Sequence, residues 1–266
     1  MNASSAWTRR TMLSAALGSG LAMSLPPLLG HAHNGKPLAA TPLSRLDLPW
    51  WKHRWEEKQR ELRQKPVDLV FYGDSITQNW EKTGPEPWQN FAPVWNRYYG
   101  HRHAINLGYK GDTTAHLLWR IENGEASGIN PRAAVVLIGA NNFGKLRWPA
   151  EPTLQGIDAI IECLHRHLPK MQILLLGVLP SIRNEWVDAQ TVALNRALPG
   201  RYDQRVTFLD LRALFMSGGK VDRTRFLDIH LTPPEPPLHP DAATQAAMAQ
   251  AMEPHIARML GDTPVR

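Results

Sequence analysis

A single cysteine in 266 residues, Cys163, excludes an intramolecular disulfide, and its apolar setting in IIECL reads as a buried thiol rather than a nucleophile. Clustered positive charge is also missing. The 30 Lys and Arg against 24 Asp and Glu give a net +6 that is spread along the chain, without the basic face a nucleic-acid binder needs. The apolar stretch at 15–29 is short for a membrane span and is broken by Pro26-Pro27. No internal repeat is present. No group of His, Asp and Glu has the spacing of a metal site, since His101 and His103 flank Arg102 while His165 and His167 diverge on a helix.

The N-terminus carries a different signal. Arg9-Arg10 precede the 15–29 stretch, which ends in Gly30-His31-Ala32, the layout of a Tat-type export signal over residues 1–32. The expected cleavage follows Ala32, with Ala40 as the second site. Removal takes away two arginines and no acid, so the charge falls from +6 to +4. The expectation is an exported protein, periplasmic or secreted, with no stable membrane insertion after cleavage. A lead-in follows over 33–66: a flexible, turn-rich part at 33–49, then a helix at 48–64 that puts Trp51, Trp55 and Leu62 on one face. Its tryptophans read as core packing in preference to stacking on sugars.

From 67 to 266, five runs rich in Val, Ile and Leu read as buried strands, at 68–73, 104–108, 133–139, 172–178 and 206–211. Helical patterns lie near 86–98, 113–123, 152–168, 185–198 and 241–260. This alternation predicts one α/β domain, a parallel sheet covered on both faces, with its chemistry in the loops after the strands' carboxyl ends.

Three of those ends carry candidates. The first, VFYGDSIT, places Ser75 on a tight strand-to-helix turn where its hydroxyl can act as a nucleophile, although this is not the G-x-S-x-G elbow. The second, NLGYKGDTT, has Gly108 and Gly111 for a close backbone turn and offers a glycine N–H facing the same mouth, with Asp112 or Thr113 capping the next helix. The third, VVLIGANN, exposes amide donors where a tetrahedral oxyanion needs them.

Gly73-Asp74-Ser75-Ile76-Thr77, Gly111-Asp112 and Gly139-Ala140-Asn141-Asn142 resemble the successive blocks of the SGNH (GDSL) hydrolase superfamily. NLGYKGDTTAHLLWRIENGE followed by NPRAAVVLIGANN looks especially like the catalytic subunits of platelet-activating-factor acetylhydrolase type Ib. The resemblance runs from about residue 67 to the end of the chain. It implies a flavodoxin-like three-layer α/β/α sandwich and a serine esterase that needs no metal or other cofactor. It makes Ser75 the nucleophile, and forms the oxyanion hole from the Ser75 N–H, the Gly111 N–H and the Asn141 side chain. Asn142 is then structural. A homodimer is compatible with the likeness.

The family's Asp-x-x-His before the last helix is missing, because Leu227 and Pro236 stand three residues ahead of His230 and His239. His239 directly precedes Pro240-Asp241, an entrance to the last helix, and is the preferred base. His230 is the alternative, with five prolines between it and that helix. Asp228 serves as acid for either one. The expected substrates are short-chain, above all acetyl, esters of small molecules, glycans or lipid-derived alcohols. Acyl transfer to sugars and a non-catalytic glycan-binding module are the rival readings.

Overall fold

The computed structural model describes residues 35–265, and the expected export signal at 1–32 lies outside them. Strands β1 (Leu69–Gly73), β2 (Ala104–Gly108), β3 (Ala133–Leu137), β4 (Gln172–Leu176) and β5 (Val206–Leu209) form one parallel sheet in the order β2-β1-β3-β4-β5. That is the flavodoxin-like order, in which the chain reverses direction across the sheet beside β1. The helices are α1 (Pro49–Gln64), α2 (Ser75–Gln78), α3 (Ala92–Tyr98), α4 (Thr114–Arg120), α5 (Ala140–Gly144), α6 (Ala150–His167), α7 (Glu185–Ala197) and α8 (Ala242–Leu260).

Alternation along the strands divides the core in two. Val70 and Tyr72 join Leu107, Val136 and Leu175 beneath α1, α4, α6 and α7. Leu69 and Phe71 join Val135 and Leu174 beneath α3 and α8. Both faces are covered, which is why the strands read as unbroken apolar runs. Cys163 lies buried in the first core. The last helix is tied to the turn before β2 by Arg102, which donates to Glu253 at 2.6 and 2.7 Å and to Asp262 at 2.8 Å.

Several boundaries differ from those the sequence suggests. The third, fourth and fifth strands each stop two residues early, as the chain peels away to build the rim. After β3 the cause is Gly139, whose φ of 127° turns the backbone into α5. The helix expected at 86–98 is a short turn at Pro87–Gln89 followed by α3, with Pro93 in its first turn. The segment expected to be flexible at 33–49 is instead docked where described. Ala39 and Ala40 are buried, Thr114 Oγ1 donates to the Ala39 carbonyl at 2.7 Å, and Leu43 N–H to that of Ala115 at 3.1 Å. Ala40, the second cleavage candidate, therefore lies in a packed turn. Trp51 and Leu62 of α1 are buried as expected, and the Trp51 and Trp55 rings each lie 5.6 Å from Trp119.

Close approach of α2 to β2 sets the height of Ser75. A side-chain carbon on Gly108 would fall 2.2 Å from Gln78 N and 2.6 Å from Thr77 C, both backbone atoms that cannot yield separately. Gly108→Ala is expected to destabilise the fold by about 1–3 kcal/mol through overpacking, and to displace α2. Urea unfolding measures this, and an unchanged midpoint would contradict the contact.

Candidate active site

Ser75 opens α2, and Asp74 caps it by accepting the Ile76 N–H at 2.9 Å. The turn directs the Ser75 hydroxyl toward His239, with Oγ 2.9 Å from Nε2. On the other side of the ring, Nδ1 lies 2.7 Å from Asp228 Oδ1. A carboxylate at Nδ1 fixes the proton there, so Nε2 is left to accept the serine proton. The second Asp228 oxygen accepts the backbone N–H groups of Leu238 at 2.7 Å and His239 at 2.6 Å. Burial alone would push the Asp228 carboxyl up. The ring of His239, its charge and the two backbone donors outweigh that and hold it below the ordinary carboxylate range.

Asp228 and His239 are eleven residues apart in the chain and meet because the proline-rich excursion between them is closed at its neck. Leu227 N–H donates to the His239 carbonyl at 2.9 Å, Asp241 N–H donates to that of Arg225 at 3.0 Å, and Phe226 bridges Pro240. Ile182 N–H, from the loop after β4, also holds the Pro237 carbonyl at 2.9 Å. Asp241 then caps α8 through the Thr244 N–H at 2.7 Å. His230 is not part of this cluster: it is exposed and stacks on Trp88 with ring centroids 5.2 Å apart.

The other two strand ends lie beside the Ser75 turn, Lys110 lining the cleft with Ser75 and Asn141 reaching toward Asp74. Gly111 adopts φ +81°, a conformation natural to glycine, in the loop after β2. Asn141 is the second residue of α5, and its Nδ2 donates to the Asp112 carbonyl at 2.9 Å, with only a long contact, 3.4 Å, to Asp74 Oδ2. Asn142 is structural, accepting the Thr114 N–H at 3.1 Å and donating to Thr114 Oγ1 at 2.7 Å. Thr113, not Asp112, is the N-cap of α4.

Asp112 has other work, which the sequence did not signal. Its buried carboxylate accepts from Trp51 Nε1 and Arg45 at 2.9 Å each on one oxygen, and from Arg120 Nε at 2.9 Å on the other. Arg120, wholly buried, also pairs with Glu125 and donates to the Leu107 and Gly73 carbonyls at 3.1 Å each. The α1 helix fastens the far side: Arg54 donates to the Gly108 carbonyl and to Glu81, and Lys58 to Glu81.

A cleft of about 430 Å³ opens above Ser75 and His239, with Leu227 and Leu231 supplying apolar wall. Among the described residues no group of three or more His, Cys, Asp or Glu is arranged to hold a metal ion.

Burial raises the Asp74 carboxyl from 3.8 to about 6, despite the Ile76 N–H and His239 beside it. Between those two values the folded state keeps a proton that the unfolded chain releases, so stability falls as pH rises from about 4 to about 6. The loss above that window is on the order of 3 kcal/mol. Asp74→Asn is expected to flatten this dependence and to raise the melting temperature at pH 7.5 over that of the native chain. A variant less stable at pH 7.5 than the native chain would contradict it.

Residues 71–247 match the sequence model of the GDSL-like Lipase/Acylhydrolase family. Platelet-activating factor acetylhydrolase IB subunit alpha2 of Gallus gallus is 31% identical over 152 residues, 56% of this chain and 61% of that protein. The chain thus spans about three fifths of that relative's length. In fold, it is similar to a GDSL-like lipase from Bacteroides thetaiotaomicron, with TM-score 0.55 and 17% identity over 77% of this chain and 97% of that one. It is also similar to a carbohydrate acetylesterase family member from Sinorhizobium meliloti, with TM-score 0.53 and 21% identity over 73% and 99%. With its serine on the GDS turn and the family match spanning the sheet and its rim, the chain belongs to the GDSL-like lipase/acylhydrolase family.

Proposed function

We propose that this chain is a serine esterase in which Ser75 is the nucleophile, His239 the general base and Asp228 the group that orients and charges the imidazole. The observation that carries the reading is the continuous line from Ser75 Oγ through His239 to Asp228, at 2.9 and 2.7 Å. As Oγ attacks an ester carbonyl, its proton passes to Nε2, and Asp228 stabilises the resulting imidazolium. The Ser75 and Gly111 N–H groups and the Asn141 amide receive the oxyanion. The alcohol leaves with the proton from His239. Water, deprotonated by the same ring, then releases the acid from Ser75.

Short acyl groups, acetyl first, suit this reading. They are supported by the acetylhydrolase relative and the acetylesterase neighbour, and by a cleft whose apolar wall is two leucines. The alcohol is a sugar or a lipid-derived group, in keeping with the export proposed for the N-terminal segment. A poised triad speaks for catalysis over a binding module that has lost its base, and product analysis with sugar acceptors separates hydrolysis from acyl transfer.

Hydrolysis of 4-nitrophenyl acetate tests the assignment. Ser75→Ala and His239→Ala should each lower kcat/KM by about 10³-fold or more, whereas His230→Ala should change it by less than about threefold. A fluorophosphonate should label Ser75 alone, as located by peptide mass spectrometry. Normal turnover by Ser75→Ala, or a loss on His230→Ala equal to that of His239→Ala, would contradict the assignment.

A further inference from the structure

Cations gather around the loop that carries Gly111. Lys82 and Lys110 line the cleft together with Ser75 and His239. Lys145 Nζ lies 2.6 Å from the position that a side-chain carbon on Gly111 would take, and Arg45 lies 3.4 Å from it. Three of the chain's nine lysines thus lie about this loop and the cleft beside it, two of them lining the cleft itself. The Arg45 charge is answered by Asp112 at 2.9 Å, but Lys82, Lys110 and Lys145 form no ion pair among the described residues. The nearby acids compensate them only in part. Asp228 is engaged by His239, and Glu81 by Arg54 and Lys58, leaving Glu235 on the exposed proline-rich loop.

This crowding is unfavourable for the free protein. Burial and Lys110 hold the Lys82 ammonium below its ordinary range against the pull of Asp228, and burial, Arg45 and Lys110 do the same to Lys145 against Asp74 and Asp112. The Lys110 and Lys145 side chains are exposed, yet their backbones are held in place, Lys145 by donating its N–H to the Asn141 carbonyl at 3.0 Å. The Lys110 backbone is pinned on both sides, its N–H donating to Gln78 at 2.7 Å and its carbonyl accepting from Arg45 at 3.0 Å. Lys82 is half-buried. An anion in the cleft would relieve the repulsion and gain attraction from all three.

We propose that Lys82, Lys110 and Lys145 form an anion subsite beside the ester-binding position, and that the substrates of this site are acyl esters whose alcohol part carries a carboxylate, phosphate or sulfate. The inference rests on the esterase reading above. A short acyl group has no room for the charge, so the charge belongs to the alcohol.

The test compares 3-acetoxybenzoate with its neutral counterpart 3-acetoxybenzamide on the full chain. The native protein should favour the anion in kcat/KM by about tenfold at low salt, and the preference should shrink as sodium chloride screens it. In the triple variant Lys82→Gln, Lys110→Gln, Lys145→Gln the ratio should fall to near one. The single change Lys110→Glu, at an exposed position, leaves half-buried Lys82 in place and should lower the ratio as well. A native ratio near one, or one unaltered by these changes, would overturn the subsite while leaving the esterase intact. Turnover of neither ester, with no fluorophosphonate on Ser75, would overturn the esterase reading and this inference with it. Acetylated methyl glucuronoside beside its neutral methyl ester, and acetyl glycerol phosphate beside its neutral dimethyl phosphate triester, assign the anion to an acidic sugar or a lipid-type phosphate; preference for either over its neutral form supports the subsite.

Discussion

The guanidinium of Arg120, with no exposed surface, joins the pieces on which the candidate site stands. One edge grips Asp112 in the loop that carries Gly111; the others reach the Leu107 carbonyl near the end of β2, the Gly73 carbonyl at the end of β1, and Glu125 after α4. The Tyr109 ring covers it at 3.9 Å. Burying one cation with two carboxylates is costly unless nearly every polar atom finds a partner, and here the planar fork of arginine distributes its donors over two backbone carbonyls and two acids. In return, the turn that presents Ser75 and the loop that presents Gly111 are held in fixed relation. Oxyanion stabilisation depends on such fixity, since donors that must reorganise during reaction lose most of their advantage.

The same clamp gives the N-terminal lead-in a structural part. Trp51 and Arg45 complete the hydrogen bonds of Asp112, and Arg54 and Lys58 fasten Glu81 beyond α2. These residues precede the stretch matched by the family, 71–247, yet they brace two of its strand-end loops from behind. The segment at 33–66 is therefore better described as a buttress than as a tether, at least over its described part.

Sequence reading recovers what is local. The five apolar runs gave the sheet, and three strand-end patterns pointed to Ser75, Gly111 and Asn141 because turn chemistry and exposed amides are written in a few adjacent residues. Choosing between the two histidines needed one further step: Pro240-Asp241 marks a helix entrance, Asp241 does cap α8, and it is His239 that lies 2.9 Å from Ser75 Oγ while His230 lies out on Trp88. What could not be read is the partner set of Asp112. Arg45, Trp51 and Arg120 stand 67, 61 and 8 positions from it and belong to no shared pattern. Flexibility was wrongly expected at 33–49 for a similar reason. Its small and turn-forming residues look like linker chemistry, and only the surface they meet on α4 turns them into packing.

The structure of a phosphonate adduct at Ser75 tests the central claim most directly, because its tetrahedral phosphorus copies the geometry that the three strand ends are proposed to recognise. A phosphoryl oxygen is expected within about 3.1 Å of the Ser75 N–H, the Gly111 N–H and Asn141 Nδ2, with His239 still bonded to Asp228 and its Nε2 turned to the ester oxygen. A phosphoryl oxygen pointing into solvent, or an imidazole separated from Asp228, would contradict it.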